Sequence, residues 1–329
     1  MKKINFYLGI LFVLPFFLVG CEDDSGNTPI VTPITPTTAQ EFDALRDLAL
    51  QNLTQDFSLV IDDTGEIVFT SSQGVNISLY TYCLTFGGEN VQPGDMLDIE
   101  FIELYNRGNL LTTSIATMGK NSDGDLAMLV TGGAFYINVT HNGQSADNNC
   151  GYAMHIPTSN TGGVDYDMIL WYGNFDDDGN LVWEEANGEQ GQGGEFWFDD
   201  DTYNIWANQF GWTNVDRFYN APDPKTTILV DVPEGYDSSN CAVYLSYNGE
   251  LGLARLDTFD EITGYFSEHY GLIPVGLECH VIFVSEYNGQ WVYAIKPVTI
   301  EEDEVIEILQ SDLNTTSESQ LSNLINALP

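Results

Sequence analysis

The chain opens with an apolar stretch, Ile4 to Val19, behind Lys2 and Lys3. Pro15 interrupts it, and it falls short of the ~20 residues that a spanning helix needs. A positive start, a short apolar core and a small-residue end describe a secretory leader rather than a membrane span. Asn27–Gln40 is rich in Pro and Thr, a composition that favours an extended, semi-rigid spacer. Phe42, Leu45, Leu48 and Ala49 then recur at helical spacing and predict a helix over Ala39–Leu53.

From Phe57 the pattern becomes that of short strands. Glu66–Thr70, Val75–Leu84, Leu97–Leu104, Ala127–Val130 and Ala134–Val139 are rich in β-branched and aromatic residues. Asp63-Thr64-Gly65, Gly87-Gly88, Pro93-Gly94, Asp123-Gly124 and Asn142-Gly143 supply turns between them. Thr226–Val232, Cys241–Tyr247, His280–Tyr287 and Trp291–Ile300 form a second set, with Asn288-Gly289 as a hairpin signal. Leu321, Leu324, Ile325 and Leu328 share one face and predict a terminal helix.

These elements predict a mainly β fold with two antiparallel β-sandwich-like modules in tandem and a short helix towards each end. The expected organisation is a leader (1–20), an acidic and Pro/Thr-rich tether (21–40), a first β module (41–160), an aromatic and acidic connecting region (161–225), a second β module (226–310) and a C-terminal helix (311–329).

Charge narrows the partners. The chain carries 49 acidic and 9 basic residues, and loss of Lys2 and Lys3 with the leader leaves 7 − 49 = −42. Such a field repels phosphate backbones, so nucleic acid is not expected as a partner. A hydrophobic content of 43% with 12% aromatics is ample for a core and sets the chain apart from acidic disordered sequences.

Leu18-Val19-Gly20-Cys21 resembles the bacterial lipobox, in which the cysteine receives a diacylglycerol and the peptide before it is cut. The resemblance implies lipidation of Cys21 and attachment to a membrane through that lipid, since acyl chains anchor a protein without a transmembrane helix. Glu22-Asp23-Asp24-Ser25-Gly26 resembles the acidic export tag of Bacteroidota surface lipoproteins, which implies the outer membrane and its outward leaflet.

A longer run carries a second resemblance. DMLDIEFIELYNRGNLLTTSIATMGKNSDGDLAMLVTGGAFYINV (Asp95–Val139) is similar to a segment of uncharacterised Bacteroidota-type lipoproteins, with Glu103, Arg107, Thr117, Gly132-Gly133 and Phe135-Tyr136 as its marks. Phe210–Phe218 resembles a Trp-Asn-Asp-Arg-Phe stretch of the same proteins. The resemblance implies β-sandwich modules, the first of ZU5-like type, and implies no activity.

Four cysteines follow Cys21: Cys83, Cys150, Cys241 and Cys279. Four allow three pairings, and spacing does not choose among them. Pairs local to each module, Cys83–Cys150 and Cys241–Cys279, are preferred if disulfides form; buried free thiols are the other reading, because a chain of this length folds without staples.

Two patterns suggest ligands. Asn174, Asp176, Asp178, Asn180 and Glu185, with Gly179, match the spacing of a calcium loop. A β-hairpin with a solvated acidic turn accounts for the same residues, since the flanks read as strands. Asn121–Asp125 reads as a plain turn. Trp171, Trp183, Trp197, Trp206 and Trp212, with Tyr172 and Phe196, offer rings for a sugar-stacking platform or for the core. Asp216 with Arg217, and Glu103 with Arg107, are expected to pair structurally.

The chain has four histidines and no HExxH, GxSxG, P-loop or dinucleotide fingerprint. The favoured function is therefore non-catalytic: binding an extracellular glycan or surface protein, or serving the envelope structurally. The alternative is a surface-tethered hydrolase of extracellular polysaccharide using a pair of carboxylates.

Overall fold

Thr38 starts the first helix, α1 (Ala39–Leu53): its hydroxyl accepts from the Glu41 N–H at 3.3 Å, and the Glu41 carboxylate accepts in return from the Thr38 N–H at 3.1 Å. This reciprocal cap satisfies donors that a helix start leaves open. Phe42 and Ala49 bury the inner face, and Phe42 meets Trp291 edge-on at 6.2 Å. The structure, a computed structural model, describes residues 33–329 except 177–178, 187–192, 200, 221 and 269. The apolar leader, Cys21 and most of the tether lie outside the described residues.

Strands then follow one another: β1 (Gln55–Val60), β2 (Glu66–Thr70), β3 (Asn76–Tyr80), β4 (Leu84–Thr85) and β5 (Met96–Leu104). A short helix, α2 (Arg107–Thr112), precedes β6 (Met118–Lys120), β7 (Leu126–His141), β8 (Gln144–Ser145), β9 (Asp147–Asn148) and β10 (Tyr152–Pro157). Next come β11 (Ile169–Phe175), β12 (Leu181–Glu185), β13 (Gly194–Phe198), β14 (Thr202–Ala207) and β15 (Gly211–Phe218). A large sheet takes the order β1-β5-β7-β15-β11-β12-β6, with β8 on β7, and a small sheet the order β13-β14-β10-β3-β2. Alternate residues of both, among them Phe69, Ile77, Met154, Ile205, Phe101, Ile137, Tyr172 and Val215, close one core between them.

The far end of the large sheet curls, because β6 pairs with both β12 and β7. Trp171, Trp183 and Trp212 fill the space under that curl. The Trp171 indole donates to the Asp216 carbonyl at 2.8 Å and the Trp183 indole to the Ala116 carbonyl at 2.9 Å, so both buried N–H groups are satisfied.

The C-terminal half contributes a five-stranded sheet around the hairpin Glu278–Tyr287/Gln290–Thr299 and a four-stranded sheet that includes Leu229–Asp231 and Val305–Glu307. Asn288 and Gly289 both adopt positive φ, as the two-residue hairpin signal predicts. The last helix, α3 (Glu318–Asn326), is capped by Ser317 and buries Leu321 and Ile325. Its neighbours in the core come from α1, α2, the curled end of the large sheet and the C-terminal sheets together.

The fold is mainly β, as the sequence predicts. Three details differ. Residues 161–225, expected to connect two modules, instead supply β11 to β15 to the first pair of sheets, because their aromatic residues alternate inward. Ile34–Pro329 forms one unit with a shared core rather than separable halves. Two strand pairings, β12 with β6 and Leu229–Asp231 with Val305–Glu307, run parallel. Among the described residues no helix is long and apolar enough to cross a membrane.

The chain enters this body through Ile34–Thr37. The Ile34 carbonyl accepts from Gln310 Nε2 at 2.7 Å, the Thr37 carbonyl from Asn240 Nδ2 at 3.3 Å, and the Thr37 hydroxyl donates to Glu286.

Candidate functional site

The small sheet buries one face against the large sheet and turns the other to solvent. Since strand side chains alternate, burial of Ile67, Phe69, Ile77, Leu79, Met154, Ile156, Tyr203 and Ile205 sends their neighbours outward. Cross-strand register sets these neighbours in rows. Trp197, Asn204, His155, Asn76 and Thr70 form one row across all five strands. Glu195, Trp206, Ala153, Ser78 and Val68 form the next. Each row spans roughly 19 Å at the ~4.8 Å spacing of strands.

Rings gather at one side of this face. Trp206 lies over Tyr80 with centroids 5.6 Å apart and planes inclined by 29°, and Tyr80 contacts Tyr82 at 5.7 Å. Tyr82 is 74% exposed, Val68 57% and Trp197 42%. Burial, with the charge of Glu66 beside it, pushes the Tyr80 phenol above its ordinary range, so it remains a neutral hydroxyl.

The disulfide Cys83–Cys150 holds this cluster in place. Cys83 follows Tyr82 directly, and the Cys150 carbonyl accepts from the Trp206 indole at 3.0 Å. Gly151 lets the indole come so close: a Cβ there would lie 2.2 Å from Trp206 Nε1, and its φ of +100° is itself unfavourable for other residues.

Polar groups border the rings. The Asp199 carboxylate accepts from Asn204 Nδ2 at 3.1 Å, and Asn204 Oδ1 meets His155 Nδ1 at 2.5 Å. The Thr70 hydroxyl donates to Asn76 Oδ1 at 2.7 Å. Flat rings beside the exposed Asn76 amide, an imidazole and carboxylates suit a ligand with apolar C–H faces and hydroxyl edges, while Asn204 is buried and only positions His155.

Of the five tryptophans proposed for stacking, the structure puts Trp197 and Trp206 on this open face. Trp171, Trp183 and Trp212 are core residues. Tyr80, Tyr82, His155 and Asn204 were not anticipated. Tyr80 could have been found, since it alternates with the apolar Ile77 and Leu79.

The calcium pattern falls on the β11–β12 hairpin. Asp176 closes the turn, accepting from the Asn180 N–H at 2.8 Å and Nδ2 at 3.3 Å. Glu185 pairs with Trp171 at the other end of the ladder, four rungs from Phe175–Leu181 and about 14 Å away at strand rise. Asn174 lies opposite Val182, and Asp178 lies outside the described residues. A strand carries Glu185 away from the turn, where a calcium loop would fold it back. Among the described residues, no group of three or more His, Cys, Asp or Glu is arranged to hold a metal.

The second cysteine pair does not form. Cys241 faces Ser285 and Cys279 faces Tyr247 across the same two strands, six residues apart, about 20 Å. Disulfides need Cα atoms within about 7 Å. The expected ion pairs are also reassigned. Arg217 binds Asp165 at 2.6 Å, and Asp216 is fully buried beside Asn214 Nδ2 at 2.8 Å. Glu103 accepts from Gln55, Ser71, Ser72 and the Gln73 N–H, while Arg107 donates to Ser246 and to the carbonyls of Leu328 and Pro329.

No protein-family model matches the chain, and no curated protein sequence matches it.

Proposed function

We propose that this protein is a lipid-anchored cell-envelope protein that binds an extracellular glycan on the outward face of its small sheet, without catalysing a reaction. The Trp206–Tyr80 stack, open to solvent and bordered by His155 and Asn76, with Asn204 buried beneath and holding the imidazole, carries the reading. Sugar rings present C–H faces that pack on aromatic rings, and their hydroxyls exchange hydrogen bonds with amides and carboxylates. The lipobox-like Leu18–Cys21 and the acidic run after it support the anchor and the Bacteroidota-type surface setting. A surface-facing tether gives a glycan-binding face access to polymer in the medium.

The test is a binding screen of the protein against extracellular polysaccharides, with Trp206→Ala and Trp197→Ala beside the parent. Stacking contributes on the order of 1 kcal/mol per ring, so each variant should bind a responsive glycan several-fold more weakly while melting close to the parent. Unchanged binding in both variants would remove the face from the account. Release of reducing ends from the same polymers would favour the hydrolase instead.

A further inference from the structure

A groove of about 890 Å³ runs between α1 and the outward face of the large sheet, on the other side of the molecule's first core from the aromatic face. Ile102, Tyr136 and Trp212 form its floor as successive partners across β5, β7 and β15. The Tyr136 and Trp212 rings lie 5.3 Å apart. Leu48 of α1, 49% exposed, and Phe175 of β11, 62% exposed, stand on its walls. Large apolar groups grouped in one concave place, in a chain this acidic, are the mark of a contact surface.

Charge says what kind. Asp47, Asp56 and Glu100 also line the groove, and among the described residues lining it there is no Lys, Arg or His. Asp56 and Glu100 sit directly opposite each other on β1 and β5. Like charges in that position repel, and a cation between them turns the repulsion into attraction. The same cation would lie close to aromatic faces, which adds cation–π attraction.

We propose that this groove docks a segment of a partner protein presenting lysine or arginine beside aliphatic side chains. The aliphatic part follows from the exposed Leu48 and Phe175, which ask for methyl groups that a sugar does not offer. The cationic part follows from the three carboxylates. This inference is independent of the glycan-binding face, since the two surfaces share no residue.

The experiment uses the full-length protein in mild detergent and the hexapeptide acetyl-Leu-Arg-Leu-Leu-Arg-Leu-amide, followed by tryptophan fluorescence and calorimetry. Binding should saturate at one peptide per chain. The double variant Asp56→Asn/Glu100→Gln should weaken it by roughly tenfold, the scale of two surface charge contacts, and Phe175→Ser should also weaken it several-fold. A control that removes two exposed carboxylates elsewhere, Glu301→Gln/Glu302→Gln, should leave it unchanged. Three results overturn the proposal: no saturable binding, equal weakening by the control (bulk attraction to an acidic chain), or displacement of the peptide by a chitosan oligomer.

Discussion

Asp216 and Arg217 are neighbours in the chain and strangers in the fold: they point to opposite faces of β15, so the guanidinium binds Asp165 while the carboxyl is sealed in the interior. Consecutive strand residues always diverge in this way. The pair Arg217–Asp165 is about a third exposed on the acid's side, so it contributes no more than about 1 kcal/mol. Asp216 matters more.

Burial raises the Asp216 pKa well above its ordinary value, against the opposing pull of Thr131 and Gly132. The folded protein therefore keeps this proton at pH values where the unfolded chain has released it. The stability it contributes is complete below the unfolded value of about 4 and is lost as pH rises through the folded value. Asp216→Asn, which has no charge to bury, should melt higher than the parent at about pH 7–8, by ~2–4 °C for each kcal/mol gained. The gain should vanish towards pH 4. A variant that melts lower at every pH would show that the anion is needed.

Glu103 is the acceptor for a whole corner of the first core. Gln55 Nε2, the Ser71 and Ser72 hydroxyls and the Gln73 N–H all donate to it, at 2.8 to 3.1 Å. Glu103→Ala strands these donors and should lower unfolding stability by about 3 kcal/mol, with Glu103→Gln costing less because one carbonyl remains. Urea midpoints check both; a change below about 0.5 kcal/mol in Glu103→Ala would mean water replaces the carboxylate without penalty.

The disulfide Cys83–Cys150 closes a separation of 67 residues, and chain entropy puts its contribution at up to about 4 kcal/mol. Mild reduction should lower the melting temperature. It should also weaken glycan binding, because the Cys150 carbonyl orients Trp206. Cys241 and Cys279 should resist thiol reagents until the protein unfolds, since burial pushes both thiols up, Cys279 to about 12. Rapid labelling of the native protein at two sites would contradict their burial.

Cys21→Ser removes the sulfur on which the proposed acylation depends. Fractionation of expressing cells should move the protein from the membrane to the soluble fraction. Retention in the envelope by the serine variant would remove the lipid from the account.

Local pattern carried much of this fold into view. Helix α1 was legible over its full length, Ala39–Leu53, from four apolar positions, and the hairpin at Asn288-Gly289 from its turn chemistry. β7 was not: Gly132-Gly133 breaks the apolar pattern and suggests two strands, whereas one strand runs through them with a bulge opposite β15. A Cβ at Gly132 would meet the Val215 carbonyl at 2.7 Å, so the glycine serves a close approach that only the partner strand explains. The candidate site was half legible for a similar reason. Alternation says that two faces exist but not which face another sheet covers, so five tryptophans looked alike; Trp197 proved exposed and Trp206 half-buried on the open face.

The attachment of Ile34–Thr37 to Gln310, Asn240 and Glu286 has a mechanical consequence. Were polymer bound on the aromatic face, as proposed, its drag would travel through the shared core and leave the body beside the long hairpin that carries Glu286. Carrying the same load as the small sheet, those few isolated hydrogen bonds would yield before its multi-rung ladders, lengthening the N-terminal segment while the aromatic face kept its shape.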